Sequence, residues 1–509
     1  MLTSDLCLQE IREKLSGMHS SESLEKAQNY EQTHQNEIDA NRPFFHLTPR
    51  TGWMNDPNGF CFYDGKYHLF YQYYPYETVW GPMHWGHAVS KDLLHWEYLP
   101  AVMAPDAPYE TGCFSGSAIE QDGLQVILYT SHYEPENGNC RTESQSLAFG
   151  DGTKVLKYEH NPVVSSDSLP EGMTPTDFRD PKIWKDGDYF YFVAGCSKDQ
   201  QGCILLYQSQ DLIHWDYKGV LHSQNHMGFM WECPDFFPIR DKHVLICSPM
   251  GVEKDTIHHQ FEGDVFTAYT IGDFDPQTLR YDAAPLQELD AGLDFYAPQT
   301  TSTPDGRRIL IGWLQNWCKN IHHAEKGFAG SMTIPRELSI RNGKLIQQPV
   351  WEVNSLRKNK VERSMFLGEE PVVLPEVSGR VIDLELDWEL LDSECITLCF
   401  AKGMGYETRL TYCRKDNTLT YDRSLGGSDL NSLQICANPE RINRRTICVS
   451  EPDGHLKLRI LLDKYSAEIF VNGGEQVMSF AVYTPMSAEM ISFQSKGESK
   501  LYVSKWDLN

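Results

Sequence analysis

The chain has 509 residues, and its 45 Lys and Arg against 71 Asp and Glu leave a formal net charge of −26. Such a length holds two or three domains with cores of their own and excludes a small stapled scaffold, while the negative field argues against nucleic acid or an anionic membrane as partner. Hydrophobic residues at 40% and charged residues at 23% are those of a folding chain, and aromatics at 12% favour β-structure.

The N-terminal residues show no basic segment followed by an apolar stretch, so no secretory leader is expected. Nothing downstream approaches the roughly 18 apolar residues of a membrane span. The 14 cysteines contain no C-x-x-C pair; neither a zinc site nor a disulfide framework is expected, and a reducing cytoplasm is the simplest compartment. Cys61, Cys247 and Cys399 sit in apolar runs and read as small buried hydrophobes. Residues 1–41 are polar and acidic, with Leu6, Ile11, Leu15 and Leu24 at helical spacings. They read as a short helical extension that packs on the body, makes homo-oligomer contacts, or stays a mobile leader.

From Arg42 the texture changes to short β-rich runs, and one pattern recurs five times: a polar cluster, a strand, a charged turn and a second apolar strand. The copies are MNDPNGFCFYDGKYHLFYQYYP, FSGSAIEQDGLQVILYTSH, FRDPKIWKDGDYFYFVAGC, WECPDFFPIRDKHVLICSPM and FYAPQTTSTPDGRRILIGWLQN. Their second strands begin near Tyr67, Gln125, Tyr189, His243 and Arg308, a period of about 60 residues that fits propeller blades. SKDLLHWEYL (90–99) returns as SQDLIHWDYK (209–218), two blades later, and reads as strand-turn packing. The prediction is an all-β chain: a five-bladed propeller over 42–352, a charged linker at 353–364, and an antiparallel β-sandwich over 365–509. Asp416-Asn417 and Asn472-Gly473-Gly474 mark hairpin turns in the latter.

Equivalent positions of innermost propeller strands line one funnel, so Asp56, Ser115, Asp180, Glu232 and the Tyr296/Gln299 pair should converge there. Two carboxylates flanking a glycosidic bond suffice for sugar hydrolysis, and a third that stays ionised can stabilise an electron-poor transition state. The neighbours suggest an assignment. Asp56, between amide donors Asn55 and Asn58, suits a nucleophile; Asp180, beside Arg179, should be held ionised; Glu232, beside Trp231, Cys233 and Pro234, suits a general acid of raised pKa. Asp-Pro and Asn-Gly also form turns, so the first cluster alone has a second reading as a tight turn opening blade one; the convergence of three such clusters favours catalysis. His84 and His87 have metal-like spacing but no third ligand nearby, so hydrogen bonding is the expectation; His322-His323 near Cys318 reads as a loop feature. Neither a metal nor a cofactor is expected.

Trp53-Met54-Asn55-Asp56-Pro57-Asn58-Gly59, Phe178-Arg179-Asp180-Pro181 and Glu232-Cys233-Pro234 resemble the three signature motifs of glycoside hydrolase family 32, the invertases and β-fructofuranosidases. The resemblance continues at Phe70-Tyr71-Gln72-Tyr73, Gly112-Cys113-Phe114-Ser115-Gly116-Ser117, Tyr296-Ala297-Pro298-Gln299, Thr333-Ile334-Pro335-Arg336-Glu337-Leu338 and 462–472. It implies a propeller-plus-sandwich hydrolase of terminal β-fructofuranosides acting with retention: Asp56 the nucleophile, Glu232 the acid/base and Asp180 the stabiliser. It further implies a fructose pocket from Trp53, Asn55, Gln72, Trp80, Phe114, Ser115 and Arg179, with Tyr296 and Trp313 at its rim. The expected ligand is sucrose, sucrose 6-phosphate or a short fructo-oligosaccharide. A fructosyltransferase or a non-catalytic sugar binder on the same fold are the competing readings.

Overall fold

The computed structural model describes residues 8–35, 41–135, 138, 141–253, 255, 257–261, 266–317, 327–427 and 443–509. Five antiparallel sheets follow one another in chain order, each running from an innermost to an outer strand. Their innermost strands are Gly52–Tyr63, Gly112–Gln121, Arg179–Asp186, Met230–Ile239 and Tyr296–Ser302. These five blades stand around one axis, because each innermost strand packs on the innermost strand of the next blade and the fifth packs on the first. The ring closes where Phe328–Ala329, a short strand from the fifth blade's long connection, pairs in parallel with Gly52 and Trp53 of the first. Alternate residues of each strand feed the apolar layers between neighbouring blades, as with Leu128, Phe149, Ile183 and Phe192 between blades two and three.

Along the axis the channel is crossed by polar side chains. The Gln299 amide accepts from the Phe60 N–H at 2.7 Å and donates to the Gly116 carbonyl at 3.0 Å, tying blades five, one and two. Lys182 reaches Asp235 at 3.0 Å and the Thr300 carbonyl at 2.6 Å, tying blades three, four and five.

Two six-stranded sheets form the C-terminal sandwich, with Leu384, Trp388, Leu398, Ile469 and Phe493 in its core. The linker expectation is corrected. Within 353–364, Val353 and Leu356 are buried in a 3-10 turn, and Arg357–Leu367 is a sandwich strand paired with Ser499–Leu508. Lys358, Lys360, Glu362 and Arg363 are exposed along this edge strand, which gives it the composition of a spacer. Both expected hairpin turns occur, Asn417 and Asn472 having φ of 52° and 48°. At Gly474 (φ 86°) an added Cβ would lie 1.8 Å from the Gln347 carbonyl oxygen, so only glycine lets this turn press on the propeller.

The extension forms helices α1 (Leu8–Gly17) and α2 (Glu22–His34). Ser21 caps α2 by accepting the Leu24 N–H. Ile11 and Leu15 of α1, and Leu24, Ala27 and Glu31 of α2, are buried. This is the packed alternative among those the sequence left open. The repeated D-L-x-H-W segments are turns: Asp92 accepts the Leu94 and His95 N–H groups, and Asp211 those of Ile213 and His214. Asp255 does the same for Ile257 and His258, a third copy the sequence pattern had not shown.

Candidate active site

One local device recurs in every innermost strand. Between Met54 and Pro57, Cys113 and Gly116, Arg179 and Lys182, Glu232 and Asp235, and Tyr296 and Gln299, the strand carries one residue more than its partner. Such a bulge bends the strand and re-aims its side chains. In three copies it is held by left-handed backbone at Asp180 (φ 65°), Cys233 (φ 49°) and Ala297 (φ 49°). Five bulges at one level therefore bring groups from all five blades to the same end of the channel.

Asp56 is buried; its Oδ2 accepts from the Ser115 hydroxyl at 2.7 Å and its Oδ1 from the Asn55 amide at 3.1 Å. Asn55 is oriented by the Trp53 indole N–H, which donates to its oxygen at 2.8 Å. Burial raises the Asp56 carboxyl to about 6, with the Ser115 bond opposing and the Glu232 charge adding. The Cys233 thiol lies between the two aspartates, 3.5 Å from Asp56 Oδ2 and 3.4 Å from Asp180 Oδ2.

Asp180 departs from expectation. The Arg179 guanidinium turns away from it, its Nε and Nη2 on Glu232 Oε1 at 2.9 and 2.8 Å and its Nη1 on Glu143 at 2.9 Å. Asp180 keeps the Cys233 N–H at 2.9 Å and the Cys233 thiol as donors, and burial raises it to about 8, with Arg179 opposing and the charges of Glu232 and Asp56 adding. Adjacency in sequence put the cation beside the wrong carboxylate. Glu232 is corrected in the same way: the Trp231 indole points into the core and donates to the Met227 carbonyl, so the carboxylate's surroundings are polar. Arg179 holds one Glu232 oxygen and the Tyr296 hydroxyl donates to the other at 2.5 Å.

Glu143, which sequence reasoning missed, is fully buried behind Arg179. Burial works against its charge, yet Arg179, His132 and Arg141 hold it down to about 2. The sequence around it, T-E-S-Q-S-L, reads only as an alternating strand. The walls are aromatic. Phe114 stacks on the His132 ring at 4.0 Å, and Trp80, 47% exposed, meets Phe114 edge-on at 6.2 Å. Gln72 is buried and donates to the Cys113 carbonyl, bridging blades one and two. Trp313 is fully buried behind Trp53, so it backs the wall and does not reach the rim as expected. His84 bonds the Pro82 carbonyl and His87 bonds His68. His322 and His323 lie outside the described residues.

Three carboxylates at the mouth of a five-bladed propeller, one of them held by Arg179, define the class: a carbohydrate-cleaving hydrolase. The family model described as the glycosyl hydrolases family 32 N-terminal domain matches residues 46–349, and that of the C-terminal domain matches 352–507. Together they span most of the sequence, and the chain belongs to glycoside hydrolase family 32. It is 37% identical over 478 residues to a sucrose-6-phosphate hydrolase of Escherichia coli, covering 92% of this chain and 94% of the relative. With a raffinose invertase of the same organism it shares 35% over 457 residues, 88% of this chain and 91% of the relative. Among solved structures, a family 32 β-fructofuranosidase of Bombyx mori superposes with a TM-score of 0.82 at 34% identity, covering 95% of this chain and 98% of that one.

Proposed function

We propose that this glycoside hydrolase is a β-fructofuranosidase that cleaves the terminal β-D-fructofuranoside of sucrose, sucrose 6-phosphate or short fructo-oligosaccharides with retention. The convergence of Asp56, Asp180 and Glu232 on bulges of three innermost strands supports this reading. So do the curated relatives, named for sucrose 6-phosphate and raffinose. Asp56 attacks the anomeric carbon while Glu232 protonates the departing sugar oxygen, leaving a fructosyl ester on Asp56. Glu232 is now a carboxylate held by Arg179 and Tyr296; it takes a proton from water, whose oxygen displaces Asp56 and restores the original configuration. Asp180, whose carboxyl burial raises to about 8, binds sugar hydroxyls, and the positive charge that develops on the ring in both steps favours its ionised form. The Trp80 and Phe114 faces, with Asn55, Gln72 and Ser115, form the sugar pocket. A reducing cytoplasm suits the ten free cysteines among the described residues.

The test is a pair of variants. Asp56→Asn should lose turnover by about 10^4-fold or more with its fold intact, and Glu232→Ala, on a fructoside whose leaving group needs no protonation, should recover part of its rate with azide, which needs no general base. An Asp56→Asn enzyme within tenfold of the parent would overturn the assignment. Comparing kcat/KM on sucrose, sucrose 6-phosphate and a fructo-oligosaccharide then fixes the preferred leaving group.

A further inference from the structure

The propeller channel has a second mouth. The innermost strands continue past the Gln299 and Lys182 crossings, and Phe60 and Phe62 lie four to six residues beyond Asp56, about 13 to 20 Å along the strand. There a cavity of about 630 Å³ opens on the face opposite the carboxylates, within the range of small-molecule sites. Part of its wall is aromatic: Trp184, half-buried, packs against Phe236, which meets Phe274 edge-on at 5.2 Å.

The same cavity is lined by Arg308, a cation with no ion-pair partner among the described residues. The Arg308 guanidinium lies over the Phe237 ring, 4.7 Å from its centroid, and its one hydrogen bond is from Nη1 to the Thr300 hydroxyl at 3.4 Å. Among the described residues no carboxylate lies within ion-pair distance of it. Asp235, the nearby buried acid, gives its Oδ2 to Lys182 at 3.0 Å and to the Thr300 N–H at 2.5 Å, while its buried Oδ1 accepts no hydrogen bond from the described residues. A buried Lys182 and a half-buried Arg308 thus face one buried anion in a protein of net charge −26. Burial lowers the Arg308 pKa with only Asp235 opposing it. At the rim, Lys185 is turned to Gln121 at 2.9 Å, and Glu120 and Asp186 are exposed to solvent.

A guanidinium with Nε and Nη2 uncommitted is a fork for a phosphate or carboxylate, and a flat aromatic wall accepts the C–H face of a sugar ring. We propose that this second mouth binds a phosphorylated hexose, its phosphate on Arg308 and its ring against Trp184 and Phe274. The site would then take the class of product released when sucrose 6-phosphate is cleaved at the first mouth. It rests on the proposed function only for that choice of sugar.

Calorimetry of the full chain with glucose 6-phosphate, glucose and inorganic phosphate tests the assignment without requiring turnover. Glucose 6-phosphate should bind at millimolar concentration or below and more tightly than either component. Arg308→Gln should weaken it by about tenfold or more while kcat/KM on sucrose stays within about twofold, which also shows that the variant folds. Trp184→Leu should weaken glucose 6-phosphate and leave inorganic phosphate unchanged, a second route should Arg308→Gln misfold. Unchanged affinity in both variants would place the ligand in the catalytic funnel and overturn the second site. No binding to the parent chain would overturn it too, and equal affinity for inorganic phosphate would overturn its sugar half. Absent turnover of every fructoside would count against the proposed function alone.

Discussion

A single residue shows how far function and stability pull apart in this site. Asp180 has its carboxyl raised from an ordinary 3.8 to about 8, chiefly by burial. The folded chain therefore binds a proton that the unfolded chain releases, and stability is lost as pH rises from about 4 through about 8. Asp180→Asn removes that cost, keeps an acceptor for the Cys233 N–H, and places in the left-handed backbone a residue that tolerates it. We expect turnover to fall by orders of magnitude while the melting temperature rises at pH 7 and barely moves at pH 4; calorimetry at the two pH values checks it, and an equal drop at both would refute the argument. Asp56 has the opposite use for its charge. As the proposed nucleophile it must be ionised, so kcat/KM on sucrose should fall as pH drops through about 6. The three carboxylates were legible in the sequence because each sits in a polar break at the same phase of a repeat. What surrounds them was not, since Arg179, Glu143, Cys233 and Tyr296 meet only after five bulges have turned their strands.

At the scale of elements, the repeat period revealed the five blades, but not how α2 is used. Its buried face lies on the outer strand of blade one: Gln28 donates to the Ala101 carbonyl at 2.7 Å and Glu31 accepts the Ala101 N–H at 2.9 Å. Beyond that face, the Tyr30 hydroxyl donates to the Tyr76 carbonyl at 3.0 Å, the two rings meet edge-on at 5.2 Å, and Lys26 lies over the Tyr76 ring. Tyr76 belongs to the loop that carries Trp80 to the funnel rim. The extension thus braces a wall of the proposed sugar pocket from behind, a contact no spacing rule could announce because it joins a helix to a loop some 46 positions away. Tyr30→Ala should raise KM for sucrose about three- to tenfold with kcat nearly unchanged, since it loosens binding without touching the reacting atoms. Tyr30→Phe, which keeps the ring contact, should recover most of the loss; steady-state kinetics of the two decide, and a fall in kcat alone would contradict the bracing role.

The whole molecule is held together by buried charge between its two modules. His46, ahead of the first blade, places Nδ1 2.8 Å from Asp463 and Nε2 2.9 Å from Glu468, all three side chains fully buried. Arg336 of the fifth blade joins the same Glu468 at 2.5 Å and Asp290 at 2.8 Å. The segments 333–338 and 462–472, which resemble the family as strongly as the catalytic motifs do, serve this joint and not the sugar. Leu461, Phe470 and Val477 of the sandwich share one apolar cluster with Ile309, Ile311 and Ile334 of the propeller. The two modules should therefore unfold in one transition. Burial lowers the His46 pKa, but its bonds to Asp463 and Glu468 outweigh it and raise the imidazole from 6.5 to about 9. A raised folded pKa gives stability that is complete below about 6.5 and lost as pH climbs through about 9, on the order of 3 kcal/mol in all. Asp463 and Glu468 are both held below their ordinary values, so their share is present above the ordinary carboxylate range and fades in acid. The joint is therefore strongest between about pH 5 and 6.5. His46→Gln cannot carry the charge: its melting temperature should lie below the parent's at pH 6 and converge on it by pH 9. Calorimetric scans across that range read the difference directly, and a gap that stayed constant with pH would mean that His46 is held for its shape and not for its proton.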